Sequence, residues 1–247
     1  MSTEFRVLIT DKISDSGLEP LRGDSRFELI KIDDSSEPAF NEALPTVHGL
    51  ILRSATKVHA EMLEKATELR VVGRAGVGVD NIDLEAATAR GVAVLNAPAG
   101  NTVSAAELTL ALILSMVRRV VEADASVRRG EWARSRFKGA ELRGRILGLV
   151  GAGRIGGEVA KRCRAFGMRV IAYDPYLSVD QMRSRNVHPV SMKTVLSTAE
   201  YISIHTPLND ETHHMIDGPA IDSMRDGVRI VCAARGGTGI HRGGQAG

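Results

Sequence analysis

Residues 151–156 read Gly-Ala-Gly-Arg-Ile-Gly, a G-x-G-x-x-G run. Glycine-rich loops also serve as ordinary turns, so the run gains meaning only from its flanks. A short apolar stretch, 146–150 (ILGLV), feeds it, and 155–166 continues at helical spacing with Val159, Ala160, Cys163 and Phe166 on one side. In that setting each glycine has a task. Gly151 permits a tight turn, Gly153 lets backbone N–H groups approach a pyrophosphate, and Gly156 lets the helix pack close to the strand. The helix start adds unpaired donors and a dipole that favours an anion. Asp174 ends the next strand-like stretch, 18 residues past Gly156 (174 − 156). An acidic side chain there accepts hydrogen bonds from adenosine ribose hydroxyls and repels a 2′-phosphate. Pro175 and Tyr176 bring no cation beside it. The implied ligand is NAD rather than NADP; a glycine turn with an unrelated surface Asp would need four features to coincide.

Other chemistry-bearing residues also fall at strand ends. Arg235 follows the apolar run 228–233 and precedes two glycines. It can clamp a carboxylate bidentately and polarise a neighbouring carbonyl, or it can be a solvated strand-end Arg. The residues alone leave these two readings about even. Arg53-Ser54 ends an earlier strand, and residues 73–78 (GRAGVG) follow another. Both would set cations and backbone N–H groups at a domain cleft. The 73–78 run has no helix directly after it, so an anion-binding turn suits it better than a second dinucleotide loop. His205 ends the run 201–205; a proton donor and a strand-end residue bonded to backbone are both possible, and the second is preferred. His213 and His214 sit in a polar turn, and no spacing suggests a metal.

The elements that must position these residues alternate along the chain. Residues 5–10, 27–32, 49–53, 69–73 and 92–95 read as strands, with helical patterns at 60–66 and 83–90, the second stopped by Gly91. A single long helix is expected from about 102 to 129, with Ser104 as its cap and Glu107 as capping-box partner. Leu110, Ile113, Leu114, Val117 and Val121 supply its buried stripe, and Gly130 its end. A second series follows: strands at 146–150, 169–173, 201–205 and 228–233, and helices at 155–166, 192–198 and 219–224. This β-α-β rhythm argues for α/β architecture with parallel sheets. Pro98 and Gly100 interrupt the pattern near 96–102 and mark a boundary.

At 247 residues the chain is long enough for one large domain or two modest ones. Hydrophobic residues make up 43% and aromatics only 4%, so the core rests on Val, Ile, Leu and Ala, which suits buried parallel strands. The net charge of +2, from 32 basic and 30 acidic residues without a basic block, gives no reason to favour nucleic acid or an anionic membrane. Cys163 and Cys232 are too few for a disulfide framework, no signal-like or membrane-length apolar run is present, and a reducing cytoplasm is the simplest setting.

Taken in order, several motifs resemble the NAD-dependent D-2-hydroxyacid dehydrogenases, and among them the members that oxidise 3-phosphoglycerate. They are 53–58 (RSATKV), 73–83 (GRAGVGVDNID), 96–98 (NAP), 100–102 (GNT), 104–108 (SAAEL), Trp132, 139–142, Gly144, 147–156 with Asp174, 205–208 (HTPL) and 233–237. The resemblance covers roughly residues 5 to 237. It implies two Rossmann-like parallel-sheet lobes: a substrate-binding lobe at 1–98 and an NAD-binding doubly wound domain with the long linking helix at 99–237. Residues 238–247, within a glycine-rich run of six glycines in twelve residues that starts at Gly236, are expected to be a disordered tail. The resemblance also implies a cleft active site, reversible hydride transfer at C2 of a D-2-hydroxyacid, a small 2-hydroxyacid or 2-oxoacid substrate and a homo-oligomer. Glyoxylate or hydroxypyruvate is the alternative substrate class. By position Arg235 matches the carboxylate-binding Arg. Val77, Arg154, Ile155, Asp174, Thr206 and Ala233 match NAD-contacting positions, beside the loop glycines Gly151, Gly153 and Gly156. Arg53, Arg74 and Gly76 lie on motifs associated with substrate binding, and Cys232 stands where the family more often has Asn.

The family's Glu and proton-exchanging His, which follow a further helix and strand, have no counterpart here. His241 does not match them, and no Asp or Glu follows Asp226. The sequence is therefore expected to be C-terminally truncated or frame-disrupted, with an incomplete NAD domain. Two alternatives to an active dehydrogenase are a catalytically incomplete fragment that binds NAD or oligomerises, and a nucleotide-sensing corepressor.

Overall fold

A computed structural model describes residues 4–234. Arg235, His241 and the tail at 238–247 lie outside the described residues. The chain divides into two compact units between Asn101 and Thr102.

In the first unit, five short apolar runs form strands β1 (Phe5–Ile9), β2 (Phe27–Lys31), β3 (Gly49–Leu52), β4 (Val71–Arg74) and β5 (Ala93–Asn96). Helices α1 (Asp15–Arg22), α2 (Pro38–Ala43), α3 (Ala60–Lys65) and α4 (Leu84–Ala89) connect them. All strand pairs are parallel, in the order β2-β1-β3-β4-β5. The sequence pattern does not announce α1 and α2. Gly17 and Pro20 inside α1 read as helix breakers, and each of the two helices buries a single large side chain, Leu18 and Phe40. α4 is fixed locally, since the Asp83 side chain accepts the Ala86 N–H at 2.9 Å, a direct N-cap.

The second unit opens with α5 (Thr102–Arg118) and α6 (Val120–Arg128), followed by β6 (Ile146–Val150), α7 (Arg154–Ala165), β7 (Arg169–Tyr173), α8 (Val179–Ser184), β8 (His188–Pro189), α9 (Met192–Thr198), β9 (Tyr201–Ile204), α10 (Gly218–Asp222) and β10 (Arg229–Cys232). The expected single helix to residue 129 is corrected to two. Arg119 takes the left-handed conformation, φ 54 and ψ 41, and breaks the ladder. Its guanidinium donates to Glu122 at 3.2 Å and to the Arg136 carbonyl at 2.8 Å, and lies 5.6 Å from the Phe137 ring centre. The break is thus held by a segment well downstream. Ser104 is not the cap either: the helix begins at Thr102, so Ser104 lies in its first turn. Helix α8, also unexpected, carries a full capping box between Ser178 and Gln181.

Sheet order in this unit is β8-β7-β6-β9-β10, all parallel. Relabelled from its own first strand this is 3-2-1-4-5, the order of a dinucleotide-binding doubly wound sheet, whereas the first unit follows 2-1-3-4-5. Both orders reverse beside the first strand, and ligands of open α/β sheets bind outside the carboxyl ends at that reversal. Register makes the edge even. Tyr173 pairs with Val150, Val150 with Ile204, and Ile204 with Cys232, so the next residues of four strands emerge in one row. Beneath them Leu147, Leu149, Val159, Ala160 and Cys163 are fully buried. Burial pushes the Cys163 thiol up to about 11. Among the described residues no helix is long and apolar enough to cross a membrane.

Phe40, fully buried and carried by a two-turn helix, anchors the first unit's core. Phe40→Ala is expected to cost about 3–5 kcal/mol in urea unfolding, as large-to-small core substitutions do. A loss below about 1 kcal/mol would mean that α2 is not docked as described.

Candidate functional site

In the second unit the loop 151–156 sits where the sheet order reverses, between β6 and β9. Gly151 has φ 90, and a Cβ there would lie 2.9 Å from the His205 carbonyl carbon. A Cβ on Gly156 would lie 2.2 Å from the Gly151 carbonyl oxygen. These two glycines are demanded by the protein's own packing. Gly153 differs, because a Cβ there would meet nothing within 4 Å. The space over it is open, and no side chain caps the N-terminus of α7. Uncapped amides beneath open space suit a pyrophosphate.

Asp174 reaches back to this loop. Its Oδ2 accepts the Ala152 N–H at 2.8 Å, and its Oδ1 accepts the Tyr176 N–H at 3.0 Å. Each oxygen keeps further acceptor capacity, so a carboxylate pinned by two amides can still accept ribose hydroxyls. Arg154 is exposed and Ile155 half-buried at the helix start. Thr206 stands beside Gly151, its methyl 3.3 Å from where a Cβ would be, and Ala233 follows β10 along the same row. The structure therefore brings Gly151, Gly153, Arg154, Ile155, Gly156, Asp174, Thr206 and Ala233 to one sheet edge. The donor set fits a dinucleotide. Arg235 follows Ala234 but lies outside the described residues.

His205 lies under the loop. Its Cδ2 is 3.7 Å from a Cβ placed on Gly156, and its Nε2 is 2.8 Å from the Ser203 hydroxyl. Burial holds its imidazole down at about 4, so it is neutral near pH 7. The preference for a strand-end role suits this environment, although its partner is a buried serine rather than the backbone. Sequence reading did not single out Ser203. It also missed Arg185, which donates to the Ala152 carbonyl, and the Tyr176–Glu211 hydrogen bond that links the segments after β7 and β9.

The first unit has its own polar cluster, where the carboxyl ends of β1, β3 and β4 meet. Asp11, with φ 64, accepts from the Arg53 N–H at 2.8 Å, the Thr56 N–H at 3.0 Å and the Thr56 hydroxyl at 2.7 Å. Asn81 donates to the carbonyls of Arg53 and Thr56, both at 2.7 Å, and accepts Arg74 Nε at 2.9 Å. Arg74 is buried, and its guanidinium occupies the space a side chain on Gly76 would need. Among the described residues no carboxylate forms a salt bridge with it. A buried cation whose side-chain partner is neutral keeps the capacity to pair with an anion. The Val77 carbonyl accepts from Asn96 Nδ2 at 2.6 Å. Arg53, Arg74, Gly76 and Val77 thus share one edge of this unit, organised by Thr56 and Asn81, which lie in the motifs at 53–58 and 73–83, and by Asp11, which lies in none.

Comparison with known proteins agrees with this geometry. Residues 110–239, more than half of the chain, match the model of the D-isomer specific 2-hydroxyacid dehydrogenase, NAD binding domain. D-3-phosphoglycerate dehydrogenase of Bacillus subtilis (strain 168) is 45% identical over 233 residues, covering 94% of this chain and 44% of the relative. The enzyme of the same name from Mycobacterium leprae (strain TN) is 47% identical over 231 residues, 94% of this chain and 43% of that one. The chain spans less than half the length of these curated relatives. Among solved structures, D-lactate dehydrogenase from Aquifex aeolicus, complexed with NAD and lactic acid, superposes with a TM-score of 0.82 at 32% identity. That match covers 94% of this chain and 70% of the other. NAD-dependent formate dehydrogenase from Staphylococcus aureus, in complex with NAD, gives 0.83 at 28% identity, over 96% and 75% of the two chains. The chain belongs to the D-isomer specific 2-hydroxyacid dehydrogenase family and carries its NAD-binding domain.

The neutral state of His205 predicts a pH signature. Below the ordinary value of 6.5 the unfolded chain takes up a proton there, while the folded chain does not until about 4. Stability is therefore lost as pH falls through that window, because the unfolded state binds more protons. The urea midpoint of the wild type should drop more between pH 7 and pH 4.5 than that of His205→Gln. Equal drops would remove His205 as the source.

Proposed function

We propose that this chain is the nucleotide- and substrate-binding portion of an NAD-dependent D-2-hydroxyacid dehydrogenase, with 3-phosphoglycerate and 3-phosphohydroxypyruvate as its substrate pair. The observation that carries the cofactor half is the open, uncapped loop at Gly153 with Asp174 pinned beside it. NAD, when bound, supplies the hydride acceptor. The chain's own groups bind and orient it: the first-turn amides of α7 face the pyrophosphate, Asp174 takes the ribose hydroxyls, and Thr206 and Ala233 border the site. The names carried by the Bacillus and Mycobacterium relatives favour the phosphorylated substrate. Arg74, with Arg53 and Gly76, supplies the anion-binding edge of the first unit, and Arg235 is the proposed carboxylate clamp. The exposed Leu108, Leu112, Val121 and Trp132 suit a homo-oligomer, and two cysteines suit a reducing cytoplasm.

Asp174 and Gly153 give the cofactor test. NADH should bind more tightly than NADPH by nicotinamide fluorescence, because a 2′-phosphate meets the Asp174 carboxylate. Gly153→Val should leave the melting temperature nearly unchanged yet weaken NADH by ~10-fold or more, a loss of about 1.4 kcal/mol, because the new side chain fills the open space over the loop. NADPH binding as tightly as NADH would sink the Asp174 assignment, and an unaltered Gly153→Val affinity would sink that of the loop.

The proton is the weaker half of the chemistry. A base for the C2 hydroxyl typically contributes about 10² to 10⁴ in rate when its pKa lies near the working pH. His205, held at about 4 and bonded to Ser203, is a poor acceptor near neutrality. This favours a second reading, cofactor binding with little turnover by this chain alone. NADH absorbance followed in both directions, with 3-phosphoglycerate and with 3-phosphohydroxypyruvate, should show at most a trace rate. Robust turnover abolished by Arg235→Ala would establish the dehydrogenase reading and discard the second.

A further inference from the structure

The outer face of α7 holds a charged groove that the dinucleotide reading does not use. Arg154, Lys161 and Arg164 follow each other along one side of that helix, and Arg185, from the segment after α8, faces them across an open groove of about 660 Å³. At 1.5 Å rise per residue, Lys161 and Arg164 lie roughly 10 and 15 Å down the helix from the loop. Their backbone positions are therefore one turn or more below the place of a pyrophosphate seated at Gly153.

Two of the four cations are held by carbonyl oxygens. Arg164 donates to the Asn186 carbonyl at 3.3 Å, and Arg185 donates to the Ala152 carbonyl. Among the described residues none of the four forms a salt bridge. Glu158 is the one carboxylate of the groove, and the Arg162 guanidinium bonded to it, with Lys161 beside it, holds it below the usual carboxylate range. Four positive charges against one occupied carboxylate leave a strong local field. Neutral carbonyl partners fix two of the guanidinium groups in place, so little ordering remains when an anion arrives.

The walls define the ligand further. The lining is Gly, Ser, Asn and charged side chains, with no aromatic or large aliphatic residue. A nucleobase would find no aromatic ring to stack on. A volume of this size suits a small molecule. We propose that this groove is a second anion site, separate from the dinucleotide loop, for a compact, non-aromatic ligand carrying two or more phosphate groups. Its separateness rests on the cofactor reading above, because Gly153 and Arg154 border both sites.

The test is calorimetric titration of the full chain with tripolyphosphate at low ionic strength, with and without saturating NADH, and in parallel with ATP. Lys161→Glu/Arg164→Glu should weaken tripolyphosphate by ~10-fold or more, because two attractive charges become repulsive. Lys161→Ala/Arg164→Ala serves as a gentler variant and should weaken it less but measurably. NADH affinity of both variants, unchanged, shows that the loop and fold persist. Tripolyphosphate should still bind when NADH is saturating, and ATP should bind no more tightly than tripolyphosphate. The proposal is overturned if NADH displaces all tripolyphosphate while both variants bind it like the wild type, which would assign the anion to the loop. ATP binding far more tightly than tripolyphosphate would overturn the choice of ligand class. Failure of NADH to bind the wild type would instead remove the cofactor reading, leaving the dependence of tripolyphosphate on Lys161 and Arg164 to be read independently.

Discussion

One hydrogen bond, from the Ala152 amide to the Asp174 carboxylate, links the turn after β6 to the end of β7. Parallel pairing brings the two strand ends level, but it does not specify how the chain leaves either of them. The bond does. It sets the glycine turn against its neighbour strand and orients an acidic group toward the same open space. Gly151 and Gly156 then allow the turn, β9 and the first turn of α7 to approach within distances that no Cβ could tolerate. The recognition surface thus follows from backbone packing, and its single acidic side chain is immobilised before any ligand arrives, which limits the entropy lost on binding.

Much of this was legible in the sequence because the requirements are local. A glycine needed for close approach can be replaced by nothing else, and an apolar run of four or five residues before it has few uses other than a buried strand. The parts that escaped are those fixed at a distance. The break at Arg119 depends on Glu122, the Arg136 carbonyl and the Phe137 ring, and helical periodicity runs through it without a sign. Arg185 reads as one charge in a polar stretch, although it spans to the Ala152 carbonyl 33 positions earlier. Helices α1 and α2 escaped for another reason: Gly17 and Pro20 inside the first read as breakers, and the second buries only Phe40, too little to show a stripe. The Ser178–Gln181 capping box, by contrast, is a local signal for α8 carried by the sequence itself.

The first unit makes the complementary case. Asp11 and Lys12 both adopt positive φ, 64 and 48, without being glycine. This costs backbone energy, typically of order 1 kcal/mol or more per residue, and here it aims the Asp11 carboxylate at two amides and a hydroxyl beyond β3. Asn81 does equivalent work from the other side. Together they fix the loops around a buried arginine whose side-chain partner, Asn81, is neutral. An arginine motif read from sequence names the cation but not the scaffold that leaves it available.

Burial of Cys163 has a consequence for chemical access to the protein. With its thiol at about 11, the reactive thiolate fraction near neutral pH is roughly one in ten thousand, and the residue is enclosed under the sheet. Cys232, by contrast, is exposed at the end of β10, immediately before Ala233. The two cysteines therefore differ in access to reagents from solvent, one enclosed in the core and the other on the row of strand ends.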